Sequence, residues 1–429
     1  VKQDRKLAII ADDFTGAGDA GVHFSSLGKE IRLLLDFSSL HVSSLPDDSL
    51  FDGNISINCE TRFLAPDKAA SVVADVIATC RSRGYDRFYK KIDSTMRGNP
   101  GAEIEAALRA TGKAAALICT AMPETGRTVR DGRIYLSDIP LHETDIGKDP
   151  FHPLASSDIA DMLAEQTRFK AARLTLSDIA AGDDALMQTI NAHIAAGCRM
   201  LIADASDDSH LFALARAAMA VDCLPVGAGG FARAMASSLS LGGSFEPETE
   251  SPQLEGPLLA IVGSLAKSSQ RQADVAATEG GYRTFYLSPR ASLDDIAVLC
   301  ATVCETEKAT PDAVLLRIDN TGVTPRISKE EGARIAALVG EAALALCRAY
   351  PFKTVFSTGG ETAIAVANAL GIPAIDLTAE LLPGVVLGAC SSDRVGVTRF
   401  ISKAGGFGDD RVLLDIKTHL ISHSKQRPT

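Results

Sequence analysis

Short β-branched or apolar runs alternate with longer Ala-rich amphipathic stretches along most of this chain, and that alternation restricts its fold more than any other feature. The strand-like runs are Leu7–Ala11, Ile31–Leu35, Ile55–Asn58, Arg87–Lys91, Ala115–Cys119, Met200–Ala203, Leu258–Val262, Ala313–Arg317 and Thr354–Ser357. Between them lie helix-like stretches: Asp67–Arg83, Gly101–Thr111, Asp183–Ala196, Ser268–Glu279, Lys329–Tyr350 and Glu361–Leu370. This pattern predicts an α/β protein with mainly parallel sheets. At 429 residues the chain exceeds the usual size of one core. The stretch Leu241–Pro252 is rich in Gly, Ser, Pro and Glu without periodicity, and reads as a linker. We therefore expect two α/β domains, residues 1–245 and 256–429, hinged there, with the active site in the cleft between them. A second non-periodic stretch, 125–157, is too long for a bare turn and predicts a lid or excursion near the site.

The net charge of −11 argues against a nucleic-acid or anionic-membrane surface as partner. A small molecule is the expected partner, and an anionic one would need a local basic pocket. Nine Cys occur without any C-x-x-C, which reads as reduced thiols in a cytoplasmic protein. Val1–Lys6 is charged and leads directly into a strand, with no signal peptide or spanning segment visible. His419 and His423 are four apart but lack a third ligand nearby, so no metal ligands are assigned. The sequence leaves homo-oligomer formation open.

The chemistry sits where strands end. Leu7–Ala11 is followed by Asp12-Asp13-Phe14-Thr15-Gly16-Ala17-Gly18-Asp19. Two adjacent carboxylates at the end of a buried strand are costly unless they face a cation, a metal-bound phosphate or a substrate hydroxyl. The competing reading is a helix cap, with Asp or Thr capping a helix that starts near Gly16. Arg87–Lys91 is followed by Ile92-Asp93-Ser94-Thr95-Met96-Arg97-Gly98-Asn99, which places Lys91, Asp93, Ser94 and Arg97 on the same rim. Lys and Arg suit a carboxylate, one as a point charge and the other as a fork. Glu60-Thr61-Arg62 forms a third rim, with Arg62 as a second carboxylate-binding candidate.

In the C-terminal half, Gly263-Ser264, Ser357-Thr358-Gly359-Gly360-Glu361-Thr362 and Lys403-Ala404-Gly405-Gly406-Phe407-Gly408 each follow a strand. Glycines let a backbone approach phosphate oxygens, and consecutive N–H groups bind anions. Three such turns in one domain point to a nucleotide. No Walker A sequence and no dinucleotide fingerprint occurs, which disfavours an NAD-dependent dehydrogenase. Thr15-Gly16-Ala17-Gly18-Asp19 looks like the T-G-A-G-D signature of ribokinase-like kinases, whose Asp is the base. There it lies late in the chain, whereas here it follows the first strand.

Taken in order, these motifs resemble the four-carbon acid sugar kinase family: A-D-D-F-T-G-A at Ala11–Ala17, K-I-D-S-T-x-R-G-N at Lys91–Asn99, Gly263-Ser264, S-T-G-G-E-T at Ser357–Thr362, and K-x-G-G-F-G at Lys403–Gly408. The resemblance covers nearly the whole chain. It implies an N-terminal substrate-binding domain, a C-terminal nucleotide-binding domain, and ATP-dependent phosphorylation of a terminal hydroxyl on a C4 sugar acid. Threonate and erythronate are favoured over 3-oxotetronate. It also implies that one of the Asp12–Asp13 pair, Arg62, Lys91, Ile92, Asp93 and Ser94 contact substrate. Ser264, Gly359, Gly360, Glu361, Thr362 and Gly405 would contact ATP, and Gly406 continues the last turn. Arg97 suits the substrate carboxylate. Phosphoryl transfer needs positioning, charge neutralisation and Mg²⁺ more than covalent catalysis. A carboxylate among Asp12, Asp13 and Asp93 is expected to orient the attacking hydroxyl, with Asp13 foremost. The rival from another class is a regulator that binds both ligands without transfer.

Overall fold

The computed structural model describes residues 5–25, 30–35, 48–148, 153–240, 254–264, 266–305, 312–319 and 328–419. The expected linker Leu241–Pro252 lies outside the described residues, as do His423 and residues 149–152. Contacts group the chain into two units, Val1–Glu246 and Pro247–Thr429.

In the first unit the strands are β1 (Lys6–Ala11), β2 (Ile31–Leu34), β3 (Asn54–Asn58), β4 (Tyr85–Lys91), β5 (Ala115–Cys119), β6 (Arg127–Arg130), β7 (Arg133–Leu136), β8 (Ile139–Pro140), β9 (Ala171–Leu174), β10 (Met200–Ala203) and β11 (Cys223–Gly227). Eight of them run in the order β2-β3-β1-β4-β11-β5-β10-β9, and every pairing is parallel. Helices cover both faces because successive strand residues point to opposite sides. The Tyr89 ring lies 6.4 Å from Phe24 and 6.2 Å from Phe231, on helices Phe14–Ser25 and Gly229–Ser240. The next residue, Lys90, points the other way and meets Glu103 of helix Pro100–Thr111 at 2.7 Å. Strands β6, β7 and β8 form a small antiparallel sheet of their own, inside the stretch expected as an excursion.

The second unit holds β12 (Leu258–Val262), β13 (Arg283–Leu287), β14 (Ala313–Ile318), β15 (Thr354–Thr358), β16 (Ala374–Leu382), β17 (Val385–Cys390) and β18 (Arg399–Lys403). Their order is β13-β14-β12-β15-β18-β17-β16, parallel from β13 to β18 and antiparallel beyond. Leu258, Ala260, Leu315, Phe356 and Ile401 share its core. Eight cysteines are free thiols, six of them buried.

Candidate active site

In each unit the chain leaves its first strand toward one side of the sheet and later crosses to the other. That reversal opens a crevice beyond the carboxyl ends of the strands. In the first unit it falls at β1, flanked by β3 and β4. Ala11 is level with Asn58 on one side and Lys91 on the other. The three polar rims therefore start at the same height and meet.

Asp12 is nearly buried, and its carbonyl accepts the backbone N–H groups of Thr61 at 3.1 Å and Arg62 at 3.2 Å. Arg62 Nε donates to Asp12 Oδ2 at 2.8 Å, and its Nη1 donates to Asp13 Oδ2 at 2.9 Å. Arg62 Nη2 lies 3.8 Å from Asp93 Oδ1. Thus Arg62 is braced by three carboxylates at the rim where an acidic substrate is expected. Arg97 grips Asp93 with two nitrogens, Nε at 2.9 Å and Nη2 at 2.8 Å, and Thr95 donates its hydroxyl to the same carboxylate. Two loop residues here take positive φ without being glycine, Glu60 (49°) and Met96 (63°). Such backbone is costly and is held by its surroundings.

Asp13 joins both readings open from the sequence. Its Oδ1 accepts the Gly16 N–H at 2.9 Å, which caps helix Phe14–Ser25, while Oδ2 takes Arg62 and the Thr15 hydroxyl at 2.7 Å. Gly16 leaves the room: a methyl there would fall 2.5 Å from Asp13 Oδ1 and 2.9 Å from Lys91 Nζ. Lys91 Nζ donates to the Ile92 carbonyl at 3.2 Å and stands 3.8 Å from Asp19 Oδ2. Ile92 is buried, its N–H on the Gly227 carbonyl at 3.0 Å, and Ser94 is half-buried.

The charges set the carboxylates' state. Burial pushes the Asp93 carboxyl up, but Arg62, Arg97 and the hydrogen bonds from Arg97 and Thr95 outweigh it and hold it well below the usual range. Burial likewise opposes ionisation of Asp13, and Arg62, Lys91 and the Thr15 hydroxyl together hold it low. Both are anions at neutral pH, suited to accept a hydroxyl proton's hydrogen bond rather than to act as strong bases. Among the described residues no group of three or more His, Cys, Asp and Glu is placed to hold a metal ion, and the rim carboxylates already carry guanidinium partners. The residues present therefore do not form a protein cage for Mg²⁺.

In the second unit the reversal lies at β12, between β14 and β15. Val262 is level with Thr358, and Thr358 with Lys403, so the three glycine turns also start together. Gly359 has φ 90°, a left-handed conformation that suits glycine, and opens helix Gly360–Ala369. A methyl on Gly359 would lie 3.8 Å from Ser264 Cβ, and one on Gly405 would lie 3.8 Å from Ser264 Oγ. Ser264 Oγ accepts the Ala266 N–H at 3.2 Å. The first N–H groups of a helix have no intrahelical partner, so Gly360, Glu361 and Thr362 present donors and the positive end of the dipole. Thr362 is nearly buried and Glu361 exposed, while Gly406 has nothing within 4 Å of a would-be methyl.

One feature of the first site escaped the sequence reading. Arg127, at the start of β6, is half-buried near the rim, where Asp93, Arg97 and Asp19 act on its charge. Its only sequence signal was membership of the long excursion. Asp19 lies so close to Gly229 that a methyl there would meet its Oδ2 at 2.4 Å. The Gly-rich segment after β11 is thus part of this site's wall.

Compared with known proteins, residues 7–235 match a sugar-binding N-terminal domain family and residues 259–413 a nucleotide-binding C-terminal domain family. A D-threonate kinase of Salmonella typhimurium is 31% identical over 430 residues, covering 96% of this chain and 97% of its own length. A D-threonate kinase of Bordetella bronchiseptica is 33% identical, covering 95% and 96%. The crystal structure of a Salmonella typhimurium protein superposes with a TM-score of 0.80 at 20% identity, covering 96% of this chain and 98% of that one, a likeness of fold alone. With a sugar-binding and a nucleotide-binding domain in this order, and kinase relatives above 30% identity across nearly its whole length, the chain belongs to the four-carbon acid sugar kinase family.

Proposed function

We propose that this kinase transfers the γ-phosphoryl group of ATP to a hydroxyl of threonate or erythronate. The observation that carries the reading is the meeting of three polar rims at one reversal of an all-parallel sheet, in the unit that matches a sugar-binding domain. Two relatives above 30% identity are D-threonate kinases, which supports a four-carbon acid as acceptor.

In this reading Lys91, Arg97 and Arg127 supply positive charge for the substrate carboxylate. Arg62 lines the same rim, pairs with Asp12 and keeps Asp13 and Asp93 ionised. Asp13 accepts a hydrogen bond from the attacking hydroxyl, fixing its lone pair toward the phosphorus and taking the proton as the new P–O bond forms. Because the transition state of phosphoryl transfer is loose, an orienting anion of low basicity suffices. Ser264, the N–H groups of Gly360 to Thr362 and the Gly405-Gly406 turn hold the polyphosphate. We propose that Mg²⁺ arrives on the phosphates, since that ion is commonly bound through one or two carboxylates plus substrate phosphates.

The test is ADP release from ATP with D-threonate, L-threonate, D-erythronate, 3-oxotetronate or no acid. Release dependent on threonate or erythronate is expected. ATP binding without ADP release on any acid would favour the regulator. A change at the nicotinamide absorbance band with an added dinucleotide would favour a dehydrogenase.

A further inference from the structure

The carbonyls of the turn after β18 are held by buried side chains. Lys403 ends that strand and is 1% exposed. Its Nζ donates to three carbonyls of the turn it begins, Ala404 at 3.0 Å, Gly405 at 3.3 Å and Phe407 at 2.9 Å. From helix Lys267–Glu279, Gln272 Nε2 lies 3.1 Å from the carbonyls of Phe407 and Gly408 and 3.0 Å from that of Asp409. Gln272 is 2% exposed. Ser268 and Ser269 donate their hydroxyls to the Gly405 carbonyl at 3.3 and 3.2 Å.

A trans peptide points its C=O and the following N–H in opposite directions. Carbonyls of Ala404 and Gly405 held toward Lys403 and the helix therefore turn the N–H groups of Gly405 and Gly406 the other way. Among the described residues those two N–H groups have no hydrogen-bond partner, and Gly405 borders Ser264. Lys403 also has no carboxylate within ion-pair distance among the described residues. A buried cation is costly without an anion, and here burial alone brings the ammonium down to about 8. Donors facing outward above an uncompensated cation are what a polyanion needs.

We propose that Lys403 and Gln272 are positioning residues for the nucleotide: they hold the carbonyl side of the Ala404–Asp409 turn inward, so that Gly405 and Gly406 present N–H groups to the ATP polyphosphate over a buried positive charge. This rests on the ATP reading of the same site. It adds a reason for the turn's shape that the glycines alone do not supply. Glycines permit the approach, whereas the lysine and glutamine choose which edge of the peptides faces the phosphates.

The test uses the full chain with Lys403→Met, which keeps the stem and removes the charge, and Gln272→Leu. Binding of ATP, inorganic tripolyphosphate and adenosine is measured by calorimetry, and KM is measured for ATP and for the sugar acid. Lys403→Met should weaken ATP and tripolyphosphate about tenfold or more, the worth of a charge-assisted contact. Adenosine binding and the KM for the acid should stay within about twofold, well below that tenfold step. Gln272→Leu should show the same selectivity with a smaller loss, and it carries the test alone if Lys403→Met does not fold. A folded variant that binds tripolyphosphate as tightly as the parent would overturn the proposal. So would a variant that loses adenosine and polyphosphate equally. Failure of the parent to bind ATP would instead overturn the nucleotide reading, and this inference with it.

Discussion

Replacing Arg62 by Ala tests whether its first duty is to hold carboxylates. The side chain is 10% exposed and faces Asp12 at 2.8 Å, Asp13 at 2.9 Å and Asp93 at 3.8 Å. Removing it leaves Asp93 with Arg97 and Asp13 with Lys91 nearby, but takes from Asp12 its one hydrogen-bonded guanidinium. Asp12 Oδ1 already has no hydrogen bond among the described residues. Breaking a buried charge network by deleting one partner costs about 3–5 kcal/mol, which for a unit of this size lowers its melting temperature on the order of 10 °C. The pH dependence follows from linkage. In the parent, Asp13 and Asp93 have depressed native pKa values, so the stability they lend is present above the ordinary carboxylate range and lost as pH falls through the depressed values. Without Arg62 each carboxylate loses the largest of the influences that lower it, so those values rise and part of this stability is missing at neutral pH. The difference between parent and variant should therefore be largest near pH 7 and shrink below about pH 4. Differential scanning calorimetry at several pH values, beside steady-state kinetics with ATP and threonate, measures both. An Arg62→Ala protein that melts with its parent at pH 7 would refute the bracing argument, whatever its KM.

Two further predictions concern the reaction. Asp13→Asn retains the helix cap and removes the charge, so kcat should fall steeply while both ligands bind nearly normally, and the melting temperature should fall as well, because the variant gives up the stability that the ionised carboxylate draws from Arg62. Asp19→Asn should be milder, and a dead Asp19 variant beside an active Asp13 variant would move the transfer role to Asp19. Gly359→Val places a β-branched residue at φ 90° against Ser264, and should weaken ATP while leaving sugar-acid binding intact. Equal loss of both ligands would show that the turn does not serve the nucleotide alone.

Local pattern carried most of the regular structure. Ala115–Cys119, Met200–Ala203 and Leu258–Val262 were legible to the residue because buried parallel strands are short apolar runs bounded by polar turns. The helix Asp183–Ala195 was legible to within one residue. Three of the strands that escaped do not stand out by pattern, whereas β11 and β17 escaped although they are largely buried. β13 is a half-exposed edge strand, and β16 pairs antiparallel with register shifts. β9 is mostly half-exposed at the opposite edge of the first sheet.

The site divides in the same way. The sequence by itself determined which residue types stand at strand ends, because carboxylates, cations and glycines after an apolar run cannot be core. It did not determine which of them touch. Arg62 reaches Asp12 and Asp13 across 50 and 49 residues of chain, and does so because β3 pairs with β1 and Ala11 is level with Asn58. Arg127 comes near Asp93 because the excursion folds back as its own small sheet. Lys403, read from sequence as one residue of a glycine motif, is buried beneath its own turn because helix Lys267–Glu279 covers it with Gln272 and two serines. Charge pairing depends on distances of a few ångströms, and those are set by sheet order and register, which are properties of the folded chain rather than of any local stretch.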